Sequence, residues 1–151
     1  MIDIQTETFA QVREEAVPLT RAHWDEVEAG MHGAETAPLD AAQYARWEEL
    51  GMLHISTLRE DGKLAGYAAF ALCPCPHRPG VQLAALDGLY LAPEVRGGLA
   101  ALRLLRQAEG ALAARGVGII QYSSPASRPC DALYRRLGAR HTESVWHKEV
   151  R

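Results

Sequence analysis

Polar and apolar residues in the first third of the chain predict a short strand followed by helices. Residues 2–6 alternate between apolar and polar side chains, which is typical of a strand. Apolar positions recur at helical spacing over residues 9–29, and Thr8 is suited to cap this helix. Pro18 lacks a backbone donor, so we expect the helix to be kinked or split in two. A loop is expected over residues 30–38, and a further helix begins at Asp40.

The rest of the chain alternates between predicted strands and helices. Residues 52–59 and 64–72 are predicted strands, and the pair Asp61-Gly62 between them favours a tight hairpin turn. A dense apolar run from residue 83 predicts a central strand covered on both faces, which Pro93 ends. The later predicted elements are a helix ending at Gly116, a strand over 117–122, a helix over 130–137 and a last strand over 145–150.

Length and charge fit one globular domain spanning residues 1–151. The 16 Lys and Arg residues face 19 Asp and Glu, which gives a net charge of −3. Because the sequence has no basic stripe, we expect no nucleic-acid partner. No apolar run is long enough to cross a membrane, and the first residues do not resemble a secretion signal, so we expect a cytoplasmic protein without a membrane partner.

Three cysteines indicate a reducing compartment rather than a disulfide framework. The segment Cys73-Pro74-Cys75-Pro76-His77, with Cys130, allows a metal site as one interpretation. The spacing lacks the second ligand pair of structural zinc sites, so we favour a proline-rich loop and predict no metal. A covalent intermediate on Cys130 is disfavoured because no histidine lies near it in sequence.

The central strand runs directly into a glycine turn and a helix. Leu89 and Leu91 alternate with Gly88 and Tyr90, which predicts that Asp87 shares a face with the two leucines. Gly97 and Gly98 follow the strand and precede the helix. Glycine lets a ligand approach the backbone closely, and the free N–H groups at a helix start favour an anion. This turn is a predicted phosphate site, and an ordinary strand-to-helix turn is the alternative.

The segment Arg96-Gly97-Gly98-Leu99-Ala100-Ala101 resembles the Arg/Gln-x-x-Gly-x-Gly/Ala signature of the GNAT acyl-CoA N-acyltransferases, with Leu99 where the family usually has glycine. Residues 133–139 resemble the family's Tyr-x-x-x-Gly-Phe segment, with Ala139 in place of phenylalanine. His23-Trp24-Asp25-Glu26 and residues 142–148 are similar to a bacterial and phage-borne GNAT subset.

The resemblance implies an α/β (α+β) GNAT fold. We expect a central mixed, mostly antiparallel sheet of about six to seven strands, helices on both faces and a splayed pair of central strands. It also implies acetyl-CoA as cosubstrate, an amine of a small molecule or protein as acceptor, and the homodimer that members often form. The residues it assigns to coenzyme A are Leu89, Tyr90, Leu91, Arg96, Gly97, Gly98, Leu99, Ala100, Ala101, Ser127 and Tyr134.

Two residues are the catalytic candidates under this resemblance. Asp87 stands at a frequent acidic position of the family, where it would accept the amine proton through water; a structural carboxylate is the alternative. Tyr134 stands where the family has a tyrosine that protonates the departing thiolate; an aromatic core residue is the alternative.

The acceptor site is expected on the helical segment that carries His23, Asp25 and Glu26. These side chains would recognise a cationic substrate, and a solvated helix face is the alternative. Two functions remain open at this point. One is an N-acetyltransferase with direct transfer in a ternary complex, and the other is a GNAT-fold module that binds acyl-CoA without turnover.

Overall fold

Five strands form one mixed sheet in the computed structural model, which describes residues 1–33 and 39–150. They are β1 Ile2–Thr6, β2 Leu53–Glu60, β3 Lys63–Pro74, β4 Gln82–Leu91 and β5 Val117–Gln121, in that order across the sheet. Neighbours from β1 to β4 are antiparallel, and β5 runs parallel to β4. The predicted fold class is confirmed, whereas the expected count of about six to seven strands is too high for the described residues.

Helices cover both faces of this sheet. They are α1 Phe9–His23, a π-helical turn Trp24–Glu28, α2 Ala29–His32, α3 Ala41–Glu49, a short 3-10 turn Pro93–Val95, α4 Ala100–Ala114 and α5 Asp131–Arg136. α4 and α5 pack on one face over a core that includes Phe70, Leu104 and Leu105. α1 and α3 cover the other face over a second core that includes Phe9 and Ile55. No helix in the described ranges is long and apolar enough to cross a membrane.

α1 continues through Pro18, so the expected split into two helices at this residue is wrong. Pro18 is exposed, and the backbone carbonyl that loses its intrahelical partner therefore faces water. The predicted N-cap is confirmed, because the Thr8 side chain and the Gln11 side chain bond each other's backbone N–H groups. The irregularity lies further on, where the chain widens into the π turn after His23.

Two predicted segments differ from the observed chain. The loop expected over 30–38 begins later, because residues 30–32 belong to α2, and residues 34–38 lie outside the described part. The strand expected over 145–150 is wrong, because this segment has no regular structure and Trp146 is 91% exposed. Its apolar residues Val145, Trp146 and Val150 do not fall on one face, so pairing would not bury a continuous apolar surface.

The parallel pair of β4 and β5 parts halfway along β4. Pairing runs from Gln82 with Val117 to Ala85 with Gln121, and β4 then continues to Leu91 paired only with β3. Ser123 follows β5, and its Oγ donates a hydrogen bond to the Leu86 carbonyl at 3.2 Å. Beyond Ala85, the edge of β4 that faced β5 therefore has no strand partner among the described residues, as the predicted splay requires.

Candidate active site

The glycine turn between the 3-10 turn and α4 exposes backbone at the start of that helix. Gly97 and Gly98 have φ of +102° and +56°, a region that side chains other than glycine rarely adopt. Both glycines are exposed. The N-cap residue Leu99 supplies no side-chain cap, and the Ala100 N–H makes only a long hydrogen bond of 3.5 Å to the Gly97 carbonyl. The start of α4 can therefore donate to an external anion.

A cavity of about 250 Å³ opens beside this turn, and we name it the glycine-turn cavity. Its walls come from β4 through Leu89 and Leu91, from the glycine turn, and from the segment 125–133. The residues lining it include Arg96, Gly97, Gly98, Ala101, Val27 and Arg128. Most of the predicted coenzyme residues therefore surround one space.

Glu26 joins two arginines at the wall of the glycine-turn cavity. Its Oε2 accepts hydrogen bonds from Nη2 of Arg96 and Nη1 of Arg128, both at 2.7 Å, and its Oε1 accepts one from the Tyr90 hydroxyl at 2.9 Å. The Nε of Arg96 also donates to the Leu91 carbonyl at 2.8 Å. Burial acts to raise the pKa of Glu26, but the bonds from Arg96 and Tyr90 and the two positive charges hold it below its usual value. Glu26, predicted on the acceptor side, thus lies beside the predicted coenzyme residues.

Tyr134 lies where β4 and β5 part. Its hydroxyl donates to the Ser123 carbonyl at 2.6 Å, and its ring stacks on Tyr122 with centroids 4.7 Å apart. Burial and the neighbouring Cys130 raise the pKa of Tyr134, so the phenol keeps its proton at neutral pH. The side chain is 8% exposed and belongs to the core under α4, as the alternative of an aromatic core residue expects. The role of Tyr134 as a proton donor stays a prediction.

Ser127 connects the far wall of the glycine-turn cavity to the π turn. Its Oγ donates to the Val27 carbonyl at 2.6 Å. Val27 itself lines the cavity. The bond therefore fixes the width of the cavity between the π turn and the loop before α5.

A second cavity of about 480 Å³ lies on the opposite face of the sheet, and we name it the α1 cavity. It is enclosed by α1, the π turn, α3 and the inner face of β2, β3 and β4. Its lining is mostly apolar and aromatic. The polar and charged groups that line it include His23, Glu28, Asp87 and Thr57.

Asp87 lines the α1 cavity because β4 contains a β-bulge. Leu86 and Gly88 pair with the consecutive residues Phe70 and Ala69, so Asp87 is the extra residue. The predicted common face of Asp87 with Leu89 and Leu91 is therefore wrong, since those leucines line the other cavity. The Tyr44 hydroxyl of α3 donates a hydrogen bond to Oδ2 of Asp87.

His23 is buried between two tyrosines at the end of α1. Its Nδ1 lies 2.6 Å from the Tyr67 hydroxyl, and its ring stacks on Tyr90 with centroids 5.2 Å apart. Its Nε2 lies 3.6 Å from a carboxylate oxygen of Glu28. Burial lowers the pKa of His23 against the pull of Glu28, Asp87 and Glu26, which favours a neutral imidazole. Asp25, the third predicted acceptor residue, is exposed on the π turn.

Sequence reasoning missed Tyr44, Tyr67, Glu28 and Arg128. Nothing in the sequence indicates that the Tyr44 hydroxyl reaches β4. Tyr67 pairs directly with Tyr90 across β3 and β4, a relationship visible only once the strand register is known. Glu28 follows the predicted His23 to Glu26 segment, and the π turn brings it back toward His23.

β4 separates the two cavities. Asp87 and Gly88 line the α1 cavity, whereas Leu89 and Leu91 line the glycine-turn cavity. The π turn also separates the two cavities, since Trp24 and Glu28 line the α1 cavity and Val27 lines the glycine-turn cavity. The two cavities therefore share one strand and one turn as their common wall.

The chain belongs to the acetyltransferase (GNAT) family, whose model matches residues 12–139. The resemblance found in the glycine turn is thereby confirmed. Among curated proteins no match was found.

Solved structures share this fold over nearly the whole chain. A ribosomal-protein-alanine N-acetyltransferase from Brucella melitensis biovar Abortus 2308 is 18% identical, with a TM-score of 0.72 and 99% of each chain covered. An aminoglycoside acetyltransferase from an uncultured soil metagenomic sample is 21% identical, with a TM-score of 0.74 and coverage of 100% of this chain and 98% of that one. A predicted acetyltransferase from Clostridium acetobutylicum, solved with acetyl-CoA, is 15% identical, with a TM-score of 0.71 and coverage of 99% and 96%. At these identities the likeness concerns the fold.

Proposed function

We propose that this protein transfers an acetyl group from acetyl-CoA directly to a primary amine, with both substrates bound at once. The observation that carries the proposal is the pair of cavities on opposite sides of β4, next to the point where β4 leaves β5. One cavity opens on the glycine turn that a diphosphate would need, and the other has a carboxylate at the shared wall.

The glycine-turn cavity would take the coenzyme. The N–H groups of Gly98, Leu99, Ala100 and Ala101 would receive the diphosphate, because a helix start combines free donors with a favourable dipole. The free edge of β4 beyond the splay, from Leu89 through Tyr90 to Leu91, offers backbone groups to the pantetheine arm and to the acyl oxygen. Arg96 and Arg128 add positive charge at the wall.

The α1 cavity would take the amine. An ordinary lysine-like amine has a pKa of about 10.4, so presenting it neutral at pH 7 costs about 4.6 kcal/mol. Asp87 would accept the released proton through water, since it is the carboxylate on the shared strand. His23 offers a neutral imidazole in the same cavity, and Glu26 fixes the arginines beside the coenzyme.

Tyr134 would complete the reaction on the other side of the thioester. The amine nitrogen attacks the acyl carbon, the carbon–sulfur bond breaks, and the departing thiolate takes a proton from a phenol. Burial keeps the phenol protonated at neutral pH, so it has a proton to donate. Its raised pKa makes the transfer uphill to a thiolate whose parent thiol has a pKa of about 8.5, and the phenolate regains a proton from water as the thiol leaves.

Acceptor type is supported only in general terms by the structural neighbours. One is a ribosomal-protein-alanine N-acetyltransferase and another an aminoglycoside acetyltransferase, and both names describe amine acceptors. A primary amine is therefore the acceptor group that we propose here.

The test is to incubate the protein with acetyl-CoA and a panel of amines, follow thiol release, and measure coenzyme A affinity by calorimetry. We expect saturable coenzyme binding together with release that depends on one class of amine. Binding without release for any amine, unchanged in Tyr134→Phe, would instead favour a non-catalytic acyl-CoA-binding module. The absence of both binding and release would refute the proposal and that alternative.

A further inference from the structure

We propose that the acceptor is a monoamine whose single ammonium is attached to an apolar, ring-sized body, and that this body occupies the α1 cavity. The inference rests on the proposed function for the transfer step and extends it to the substrate class. It follows from the shape, lining and charge of the α1 cavity.

The apolar part of the cavity is large and rigid. Phe9, Val12, Ile55 and Leu64 line it, and each is no more than 6% exposed. Phe9 stacks on Tyr44 with ring centroids 5.5 Å apart, which fixes one wall as a flat aromatic surface. A cavity of about 480 Å³ with such walls gains from burying an apolar ring and gains nothing from a chain of hydroxyls.

The two carboxylates that line the cavity have different surroundings. Among the described residues that line it, the carboxylates are Asp87 and Glu28, and none is Lys or Arg. Glu28 already lies 3.2 Å from the Nε2 of His32 and 3.6 Å from that of His23. Asp87, at the wall shared with the glycine-turn cavity, is therefore the carboxylate placed to hold an ammonium next to a thioester.

A second observation supports the same place for the ammonium. The rings of Tyr44 and Tyr67 line the cavity together with Asp87. The Tyr44 hydroxyl contacts Asp87, so this aromatic residue lies next to the place proposed for the ammonium, and aromatic rings attract cations. A polycation such as an aminoglycoside would bring further ammonium groups against apolar side chains such as Phe9, Val12 and Leu64, which carry no acceptor to offset their desolvation.

The experiment compares three acceptors with acetyl-CoA: 2-phenylethylamine, 1,4-diaminobutane and kanamycin. We expect kcat/KM for 2-phenylethylamine to exceed the other two by roughly tenfold or more, the size of discrimination that an apolar pocket provides. A higher kcat/KM for kanamycin, diaminobutane or a peptide amino terminus would overturn the substrate class while leaving the transfer function intact.

Two substitutions in α1 test where the apolar ring of the amine binds. Ala16 is buried and lines the cavity, whereas Ala10 is exposed on the outer side of the same helix, so Ala16→Leu and Ala10→Leu are a matched pair. We expect Ala16→Leu to lower kcat/KM for 2-phenylethylamine by roughly tenfold or more, and Ala10→Leu to leave it unchanged. Coenzyme A affinity and the melting temperature report whether each variant is folded. Equal effects of the two variants would place the ring elsewhere.

Direct binding separates this inference from the transfer function. Val12→Ala enlarges the cavity, so we expect the affinity of this variant for tryptamine to rise relative to its affinity for 2-phenylethylamine. This variant replaces Ala16→Leu as the test if Ala16→Leu does not fold. Calorimetry with 2-phenylethylamine, with and without coenzyme A, needs no turnover. Saturable binding of 2-phenylethylamine would support the substrate class if Ala16→Leu or Val12→Ala changes the affinity and Ala10→Leu does not. This holds even without thiol release, and in that case only the proposed transfer function fails. The absence of binding would overturn the class.

Discussion

The Tyr44 hydroxyl of α3 donates a hydrogen bond to the Asp87 carboxylate in the β4 bulge, and this bond joins a helix to the strand between the two cavities. Burial and the charge of Asp87 raise the pKa of Tyr44, so the hydroxyl remains a donor across the neutral range. The bond fixes the direction of the carboxylate that we propose as the base.

Substitution of either member of this pair should lower turnover by different amounts. We expect Asp87→Asn to lower kcat by roughly 10²-fold or more, because the proton acceptor is lost. Tyr44→Phe should cost about tenfold, because only the orientation of the carboxylate is lost. Steady-state kinetics with a saturating amine measure both effects, and calorimetry should show unchanged coenzyme A affinity. A full kcat in Asp87→Asn would assign Asp87 a structural role only.

Tyr134→Phe should separate catalysis from coenzyme binding. We expect kcat to fall by roughly 10²-fold as the thiolate loses its proton donor, with coenzyme A affinity nearly unchanged. Loss of the bond to the Ser123 carbonyl should also lower the free energy of unfolding by about 1 kcal/mol.

The matched control for this variant is Tyr122→Phe. Tyr122 stacks on Tyr134 and donates to Oε1 of Glu109 at 2.8 Å, so the substitution removes a comparable hydroxyl from the same stack. It should leave kcat intact. Equal losses of kcat in the two variants would show that Tyr134 acts through packing.

A negative charge introduced at position 98 should show whether the diphosphate of coenzyme A binds at the glycine turn. Gly98→Glu and Gly98→Gln impose the same backbone strain at a φ of +56°, and they differ only in one negative charge. We expect Gly98→Glu to bind coenzyme A roughly tenfold more weakly than Gly98→Gln at low salt, with a smaller ratio at high salt because ions screen the repulsion. Calorimetry at two ionic strengths measures the ratio. A ratio near one at both would place the diphosphate elsewhere.

His54 should make the fold sensitive to acid. Burial, together with the charge of Arg115, lowers the pKa of His54 to about 4, and its Nδ1 is buried without a hydrogen-bond partner. The unfolded chain therefore takes up the proton first, with an ordinary pKa of about 6.5. The contribution of the neutral His54 to the free energy of unfolding is therefore fully present above pH 6.5, and it is lost as the pH falls from there toward 4.

Urea unfolding at pH 7.5 and pH 5 tests this dependence. The native protein should lose about 2 kcal/mol more than His54→Gln over this interval. His77→Gln, which changes an exposed histidine, is the control and should lose as much as the native protein. Identical losses in native protein and His54→Gln would contradict the buried neutral imidazole.

The sequence predicted the elements whose signal is local. Thr8 and Asp40 cap helices as expected, because a capping side chain bonds backbone only three residues away. The turn at Asp61 and Gly62 has the positive φ of a tight hairpin, which its residue types favour. The glycine turn was found for the same reason.

What the sequence did not predict depends on register and on contacts between distant segments. The bulge at Asp87 is invisible in the alternation of β4, because an extra residue is recognised only against its partner strand. Glu26 was expected at the acceptor, yet its partners Arg96 and Arg128 lie 70 and 102 positions away in the chain. The last predicted strand failed because adjacent apolar residues gave a β-like composition without one apolar face.

The extra residue of β4 decides on which face of the sheet the Asp87 carboxylate lies. Without it, strand alternation would continue unbroken, and position 87 would face the same way as Leu89 and Leu91, which line the glycine-turn cavity. Under the proposed function, the bulge therefore puts the carboxylate on the amine side of β4 and leaves the two leucines on the coenzyme side.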